Sequence, residues 1–486
     1  MTETGGLLLG IDEGTTAVKA ALFDRDLRLV AEARRPVASR HPGPGRVEQD
    51  PVEIERAVIE SVGEVLAARA GRTILAVGLD HQGESVLAWD VDTGAAITPV
   101  VVWQDKRSEP ILRQLDGDVV ERSGLPLDPY FSAGKLAWLL AHDPAVAAAR
   151  ARGALRLGTV DAFLSQRFGG DSATDLSTAS RTQLLALGGG DWDGELCATF
   201  GVPVDALPTL RPSFGALGTL RHPDWPIELP LCARVVDQQA ALAGAGCLAP
   251  GEVKATYGTG VFVLGLRDGP LPYSDSGLLS TVAWSDGDST QYALDGGVFA
   301  AGALLDWLAS DLGLAADAAA LAGLAATVPD SSGVRVLPAL AGLGAPWWRP
   351  EARGVIAGLH GGARPAHIAR AALEAIAWRV TDIVEAMSAL TPLRELRVDG
   401  GLTNDPTLVQ LQADALGAPV LRTTADVTVL GAALLAGVGA GVFASLGDAA
   451  TRLPAAHTVL PDPTAMRQRQ RAHERWRAFV ATASML

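Results

Sequence analysis

The sequence predicts a two-domain α/β protein, and three observations carry that expectation. The chain has 486 residues, more than a single hydrophobic core ordinarily holds. Apolar runs of strand length alternate along it with runs of helical period, which is the pattern of an α/β fold. A hairpin with threonine and glycine at its bend occurs near the start, GIDEGTTAVKAALFD, and again past the middle, VKATYGTGVFVLGL. The recurrence hints at two structurally related halves.

The elements follow in order. Residues 7–11 read as a continuous apolar strand, 12–16 as a polar turn and 18–23 as a returning strand. A helix is expected over 51–70, where Val52, Ile54, Val58, Ile59 and Val62 recur at helical spacing behind the N-cap pair Asp50-Pro51. Residues 74–79 make a further strand. It runs into DHQGESVLAW, residues 80–89, which sets a carboxylate, two hydrogen-bonding side chains and a bare glycine at the end of a buried strand. Val235 and Val236 end another strand, and Asp237, Gln238 and Gln239 open a helix of small residues. A strand at 396–398 ends in Asp399-Gly400-Gly401, and a helix follows over 406–416. Residues 427–447 carry no charge and are long enough to span a bilayer. Their residues are mostly small, with little transfer energy, so they read instead as a helix buried between protein layers.

Composition sets limits on function. Apolar residues make up 48% of the chain but aromatics only 5%, so alanine-rich helices packed closely on buried sheets are expected. The formal net charge is −15, which argues against nucleic acid or an acidic membrane as the main partner, since both call for basic patches. Cys197, Cys232 and Cys247 are far apart and lack metal-ligand spacing, so neither a disulfide framework nor a zinc site is expected. The N-terminus shows neither a basic start nor a long apolar run. A cytoplasmic enzyme without an integral membrane segment is the expectation.

The motifs add chemistry. In DEGTT the glycine turn aims backbone N–H groups at one point, and Thr15 and Thr16 add hydroxyls, a nest suited to phosphate oxygens. Asp12 at the strand end suits a divalent cation such as Mg²⁺, and Lys19 is within reach of a phosphate. An ordinary hairpin turn accounts for DEGTT equally well on its own. YGTG offers a second nest, and DGG a third place where backbone approaches a ligand closely. No Walker or dinucleotide fingerprint occurs. Asp237 stands where α/β proteins bind ligands, at the carboxyl end of a strand. It reads as a base for phosphoryl transfer or as a helix N-cap.

Taken together, these motifs resemble the FGGY carbohydrate kinases, and within them the glycerol kinases. The likeness runs through nearly the whole chain: GIDEGTTAVKAALFD, DTGAAITPVVVWQDKRS, SGLPLDPYFSAGKLAWLL, DLSTASRTQLL, VVDQQAALAG, KATYGTGVFVL, GVFAAGALLDWL and LRVDGGLTNDPTLVQLQADALG occur in family order. The resemblance implies an actin/hexokinase-like (ribonuclease H-like) fold with a central cleft. It implies a polyol-binding domain over 1–244 and a nucleotide-binding domain over 245–486. It implies transfer of a phosphoryl group from ATP, with Mg²⁺, to a primary hydroxyl of a small polyol: glycerol first, a four- or five-carbon polyol or ketose as the alternative. Homodimers and homotetramers are common among such kinases.

Carried over by position, Asp237 is implied as the catalytic base and Asp12 as the magnesium-associated carboxylate. Thr15, Thr16, Lys19 and Thr259 would face the phosphates. Gly302 and Gly401 would line the nucleotide site, with Asp306 and Asp405 standing where the family pattern has Gln and Asn. Glu84, Trp103, Tyr130, Gln238 and Phe262 fall at substrate positions beside Asp237. One departure stands out. The family segment Asn-Gln-Arg-Glu here reads His81-Gln82-Gly83-Glu84, and the arginine that binds polyol hydroxyls is missing. Either His81 or Lys106 replaces that donor, or the glycine leaves room for a longer substrate.

Overall fold

The computed structural model describes residues 5–115, 118–272, 277–423 and 426–485. Its frame is a pair of sheets of like topology. The six-stranded sheet runs in the order Phe214–Leu220, Leu229–Val236, Ile74–His81, Leu7–Glu13, Ala17–Phe23, Leu29–Pro36. The seven-stranded sheet runs Leu279–Ser285, Thr290–Val298, Val261–Arg267, Glu252–Tyr257, Glu395–Asp399, Val420–Arg422, His457–Val459. Each contains one threonine-glycine hairpin, and its first strand pairs in parallel with a strand from later in the chain: Leu7–Glu13 with Ile74–His81, and Glu252–Tyr257 with Glu395–Asp399. The hint of two related halves is thus met in topology. A smaller five-stranded sheet, built around Val86–Asp90 and Leu155–Thr159, extends the first half.

Local chemistry explains the elements. The helix Pro51–Ala67 starts where Asp50 accepts from the Val52 N–H at 3.0 Å and buries Ile54, Val58, Val62 and Leu66. The helix Pro406–Leu416 is capped by Asp405 and ends at the left-handed Gly417. All three cysteines are buried and free.

The two halves meet through a pair of helices. Asp237–Gly244 follows the strand Leu229–Val236, and Val427–Gly439 follows the strand Val420–Arg422. They pack on each other so closely that a Cβ at Gly431 would stand 1.8 Å from the Ala240 carbonyl oxygen, and one at Gly244 would stand 1.9 Å from that of Val427. Val427–Gly439 also lies on the first sheet, where a Cβ at Gly78 would come 2.0 Å from the Ala432 carbonyl oxygen. Residues 427–439 of the charge-free stretch are therefore a helix between protein layers, sharing a core with Leu8, Ala76, Val235, Leu242 and Leu264, and the remainder leaves the helix in a turn. No helix among the described residues is long and apolar enough to cross a membrane.

Candidate active site

Three parallel strands deliver three carboxylates to one edge of the first sheet. Asp12 pairs in register with Asp80, Val235 pairs with Asp80 from the other side, and Asp237 follows Val236. A fourth carboxylate, Asp426, arrives from the second half just before the helix Val427–Gly439 and takes an ion pair from Lys19. Burial, then repulsion from Asp426, raises the Asp12 carboxyl to about 6. Burial and repulsion from Asp12 push Asp80 well above the usual carboxylate range. Asp80 is fully buried beside the Asp12 carboxyl, and no N–H group donates to its oxygens. Burial, then Asp12 and Glu84, raises Asp237 to about 7.

Beside Asp237 lies a pocket of about 90 Å³. The predicted substrate residues Glu84, Trp103, Tyr130, Gln238 and Phe262 all line it with Asp237, and Thr15 and Gly83 complete that side. Trp103 and Tyr130 meet edge to face at 5.5 Å. Glu84 adopts a left-handed φ of 59°, a conformation that the surroundings must hold in place. They do so through the buried ammonium of Lys135, which donates to the Glu84, Tyr130 and Phe131 carbonyls. Burial lowers that ammonium to about 7.

The stretch DHQGE now resolves residue by residue. Asp80 joins the carboxylates. His81 is fully buried, with Nδ1 3.0 Å from the Gln82 carbonyl and Nε2 2.9 Å from Thr178 Oγ1. Gln82 donates to Glu13 Oε1 at 2.8 Å and to Gln49 Oε1 at 2.9 Å, and accepts from Ser85 Oγ. Ser85 Oγ accepts from the Trp103 N–H, and the Trp103 indole donates to Thr15 Oγ1 at 3.0 Å. Gln82 thus braces the first hairpin against the substrate pocket. Gly83 meets Val236: a Cβ there would lie 3.0 Å from Val236 Cγ1. Neither of the two expected replacement donors lines the pocket. His81 has both ring nitrogens engaged elsewhere, and Lys106 is exposed. The guanidinium that does line it belongs to Arg181.

The nucleotide-side candidates are less of a cluster. Thr259 and Gly302 come together, the Thr259 carbonyl accepting from the Ala301 and Ala303 N–H groups while Gly302 donates to Gly258 at 3.0 Å. Gly401 lies beside the carboxyl end of the strand Glu252–Tyr257, because Gly400 packs against the Tyr257 backbone. Thr16 and Asp306 are exposed. Asp405 uses one oxygen to cap its helix through the Thr407 N–H, and its Oδ2 is buried without a partner.

Sequence reasoning noted Asp80 and Asp399 at strand ends without giving them a site role, and it passed over Arg181, Lys254 and Asp295. Asp80 aligns with Asp12, and in the second sheet Asp399 aligns with Thr256 and accepts from its hydroxyl at 2.7 Å. Lys254, fully buried, donates to Gln238 Oε1 at 2.9 Å. A charged residue inside an otherwise apolar strand was the signal available for Lys254. Arg181 lies inside the motif DLSTASRTQLL, which carried no role for it, and Asp295 gave no local signal.

Two sheets of like topology with a carboxylate-lined pocket between them define a two-domain phosphotransferase of the actin/hexokinase-like class. Residues 7–244 match the N-terminal domain, and residues 253–440 the C-terminal domain, of the FGGY family of carbohydrate kinases. Glycerol kinase of Citrifermentans bemidjiense is 44% identical over 449 residues, 90% of each chain. Glycerol kinase of Aromatoleum aromaticum is 42% identical over 489 residues, 98% of each chain. The crystal structure of Plasmodium falciparum glycerol kinase with ADP superposes with a TM-score of 0.91 at 28% identity, over 99% of this chain and 98% of that one. The chain belongs to the FGGY family of carbohydrate kinases, and it is an ATP-dependent kinase.

Proposed function

We propose that this kinase phosphorylates glycerol, giving glycerol 3-phosphate. The observation that carries the reading is the Asp237 pocket, which sets the carboxylates of Glu84 and Asp237 and the amide of Gln238 among the rings of Trp103, Tyr130 and Phe262, a lining suited to a small polyol. The naming of its relatives as glycerol kinases supports the same substrate. Val236 packs beside Gly83 and shares the pocket wall with it, a Cβ at Gly83 lying 3.0 Å from Val236 Cγ1.

In this reading Asp237 accepts the proton of a primary hydroxyl as that oxygen attacks the γ-phosphorus of ATP. A carboxyl raised to about 7 is well matched to that task near neutral pH. Glu84 and Gln238 offer hydrogen bonds to the remaining hydroxyls, while Trp103, Tyr130 and Phe262 exclude water around the carbon chain. Thr15, Thr16, Lys19 and Thr259 orient the phosphates, and Gly302 and Gly401 leave room for the nucleotide.

Asp12 and Asp80 suit Mg²⁺. Asp80 lies buried beside Asp12 with no basic side chain bonded to it, so a bound cation would replace the proton that burial and Asp12 hold on it. Among the described residues no group of three or more acidic, histidine or cysteine side chains is placed to hold a metal alone. That fits an ion bound through one or two carboxylates plus phosphate oxygens, as Mg²⁺ commonly is with nucleotides. When bound it neutralises phosphate charge. The reading places the enzyme in the cytoplasm, where ATP is supplied.

The test is ADP release with Mg·ATP against glycerol, dihydroxyacetone, erythritol, xylitol and D-xylulose. Glycerol should give the highest kcat/KM. A clear preference for a five-carbon compound would overturn the substrate, and release that no polyol stimulates would overturn the whole reading.

A further inference from the structure

The substrate pocket holds one cation against three carboxylates. Among the residues lining it, Glu84, Asp237 and Asp295 are acidic and Arg181 alone is basic. Arg181 is held from several sides. Its Nε donates to Glu84 Oε1 at 2.6 Å, and its Nη1 lies 2.9 Å from Asp295 Oδ2. The guanidinium carbon lies 5.8 Å from the Tyr130 ring centre and 5.5 Å from that of Phe131. The turn that carries it is fixed too. Ser180 Oγ meets Thr281 Oγ1 at 2.8 Å on a strand of the second sheet, and the Thr182 carbonyl accepts from the Ala133 N–H at 2.9 Å.

These contacts leave donor capacity unused. Nη1 is buried against Asp295 without hydrogen-bond alignment, while Nη2 enters neither carboxylate contact and is the nitrogen left to the pocket. A guanidinium has five N–H donors in a fixed fork and no acceptor. Nothing else in the pocket supplies a charged donor, and at Gly83 there is no side chain at all. A polyol hydroxyl is both donor and acceptor. The carboxylates satisfy its proton, and its lone pairs call for a group like Arg181.

We infer that Arg181, held between Glu84 of the first half and Asp295 of the second, donates to a hydroxyl of the bound polyol and is a specificity-determining residue of this kinase. This rests on the reading of the pocket as a polyol site and goes beyond it by assigning the donor. A charged donor fixed by two carboxylates cannot turn away from a substrate that lacks the matching hydroxyl. Such a substrate leaves the guanidinium poorly satisfied and is rejected.

The experiment measures kcat/KM for glycerol, propane-1,2-diol and propane-1,3-diol in the wild type, Arg181→Met and Arg181→Lys, with thermal melts of each. The wild type should favour glycerol strongly over the diol lacking the bonded hydroxyl. Arg181→Met should raise KM for glycerol by roughly 10- to 150-fold, the range of a charge-assisted hydrogen bond, and shrink that preference by a similar factor. A residue that served only the fold would lower activity on all three substrates alike and leave the ratios unchanged. Arg181→Lys retains the charge between the two carboxylates but not the fork, so it carries the test if the methionine variant does not fold. It too should lose selectivity. A folded variant with the wild-type ratios overturns the inference while leaving the polyol reading intact. A wild type that no polyol stimulates overturns the reading of the site, and this inference with it.

Discussion

At the scale of single residues, Asp237 sets the pH dependence. Its carboxyl sits at about 7, and the proposed base works only when ionised. Activity should therefore rise with pH, log kcat/KM climbing with a slope near one below about 7 and levelling above it. A pH–rate profile checks this. In Asp237→Asn the rising limb should disappear and kcat should fall by roughly 10²- to 10⁴-fold, the usual contribution of a general base. Calorimetry should still detect glycerol and Mg·ATP binding to that variant. Near-normal turnover would remove Asp237 from the base role.

At the scale of elements, the paired helices Asp237–Gly244 and Val427–Gly439 join structure to chemistry. One begins at Asp237, and the other begins just after Asp426, the partner of Lys19. Their spacing is set by reciprocal backbone contact at Gly244 and Gly431. A single methyl at Gly431 meets the Ala240 carbonyl and must push the helices apart, so it moves both carboxylates. Gly431→Ala should cost about 1–3 kcal/mol, the range of overpacked cores, and should lower kcat as well. Gly63→Ala is the matched control. That helical glycine has nothing within 4 Å of its added Cβ, and the substitution should stabilise by about 0.5–1 kcal/mol. Thermal melts and steady-state rates of the two variants separate packing from helix propensity.

Over the whole molecule, Asp12, Asp80, Asp237 and Asp426 gather negative charge where the halves meet. Burial raises Asp12, Asp80 and Asp237 above their unfolded values. A carboxyl raised in the folded state stabilises it fully below the unfolded value of about 4. That contribution declines as pH climbs, and for Asp12 and Asp237 it is lost by about 6 and 7 respectively. Asp80→Asn removes one member of the set without changing its shape. The substitution should raise the melting temperature of the ligand-free enzyme more at pH 8 than at pH 5, by about 1–2 °C for each kcal/mol of repulsion relieved. It should also weaken the Mg²⁺ dependence of turnover. An equal shift at both pH values would show that Asp80 carries no unfavourable charge.

The sequence by itself determined the class of protein and most of the polyol wall. Hairpins, strand ends and helix caps are written in local patterns: alternating apolar runs, Asp-Pro pairs, glycine at bends. That is why the strands around Asp12 and Asp237 and the helix Pro406–Leu416 fall where the residues indicated. Glu84, Trp103, Tyr130, Gln238 and Phe262 sit in legible motifs, and they share one pocket. Only the tertiary structure shows what stands beside Gly83. Its neighbour Val236 is more than 150 positions away in the chain, and whether the space beside a glycine is empty depends on what the fold brings there. Arg181 and Asp295 were hidden for the same reason. A buried charge is recognised by its partners, and theirs come from strands and turns of both halves, which nothing in the order of residues brings together.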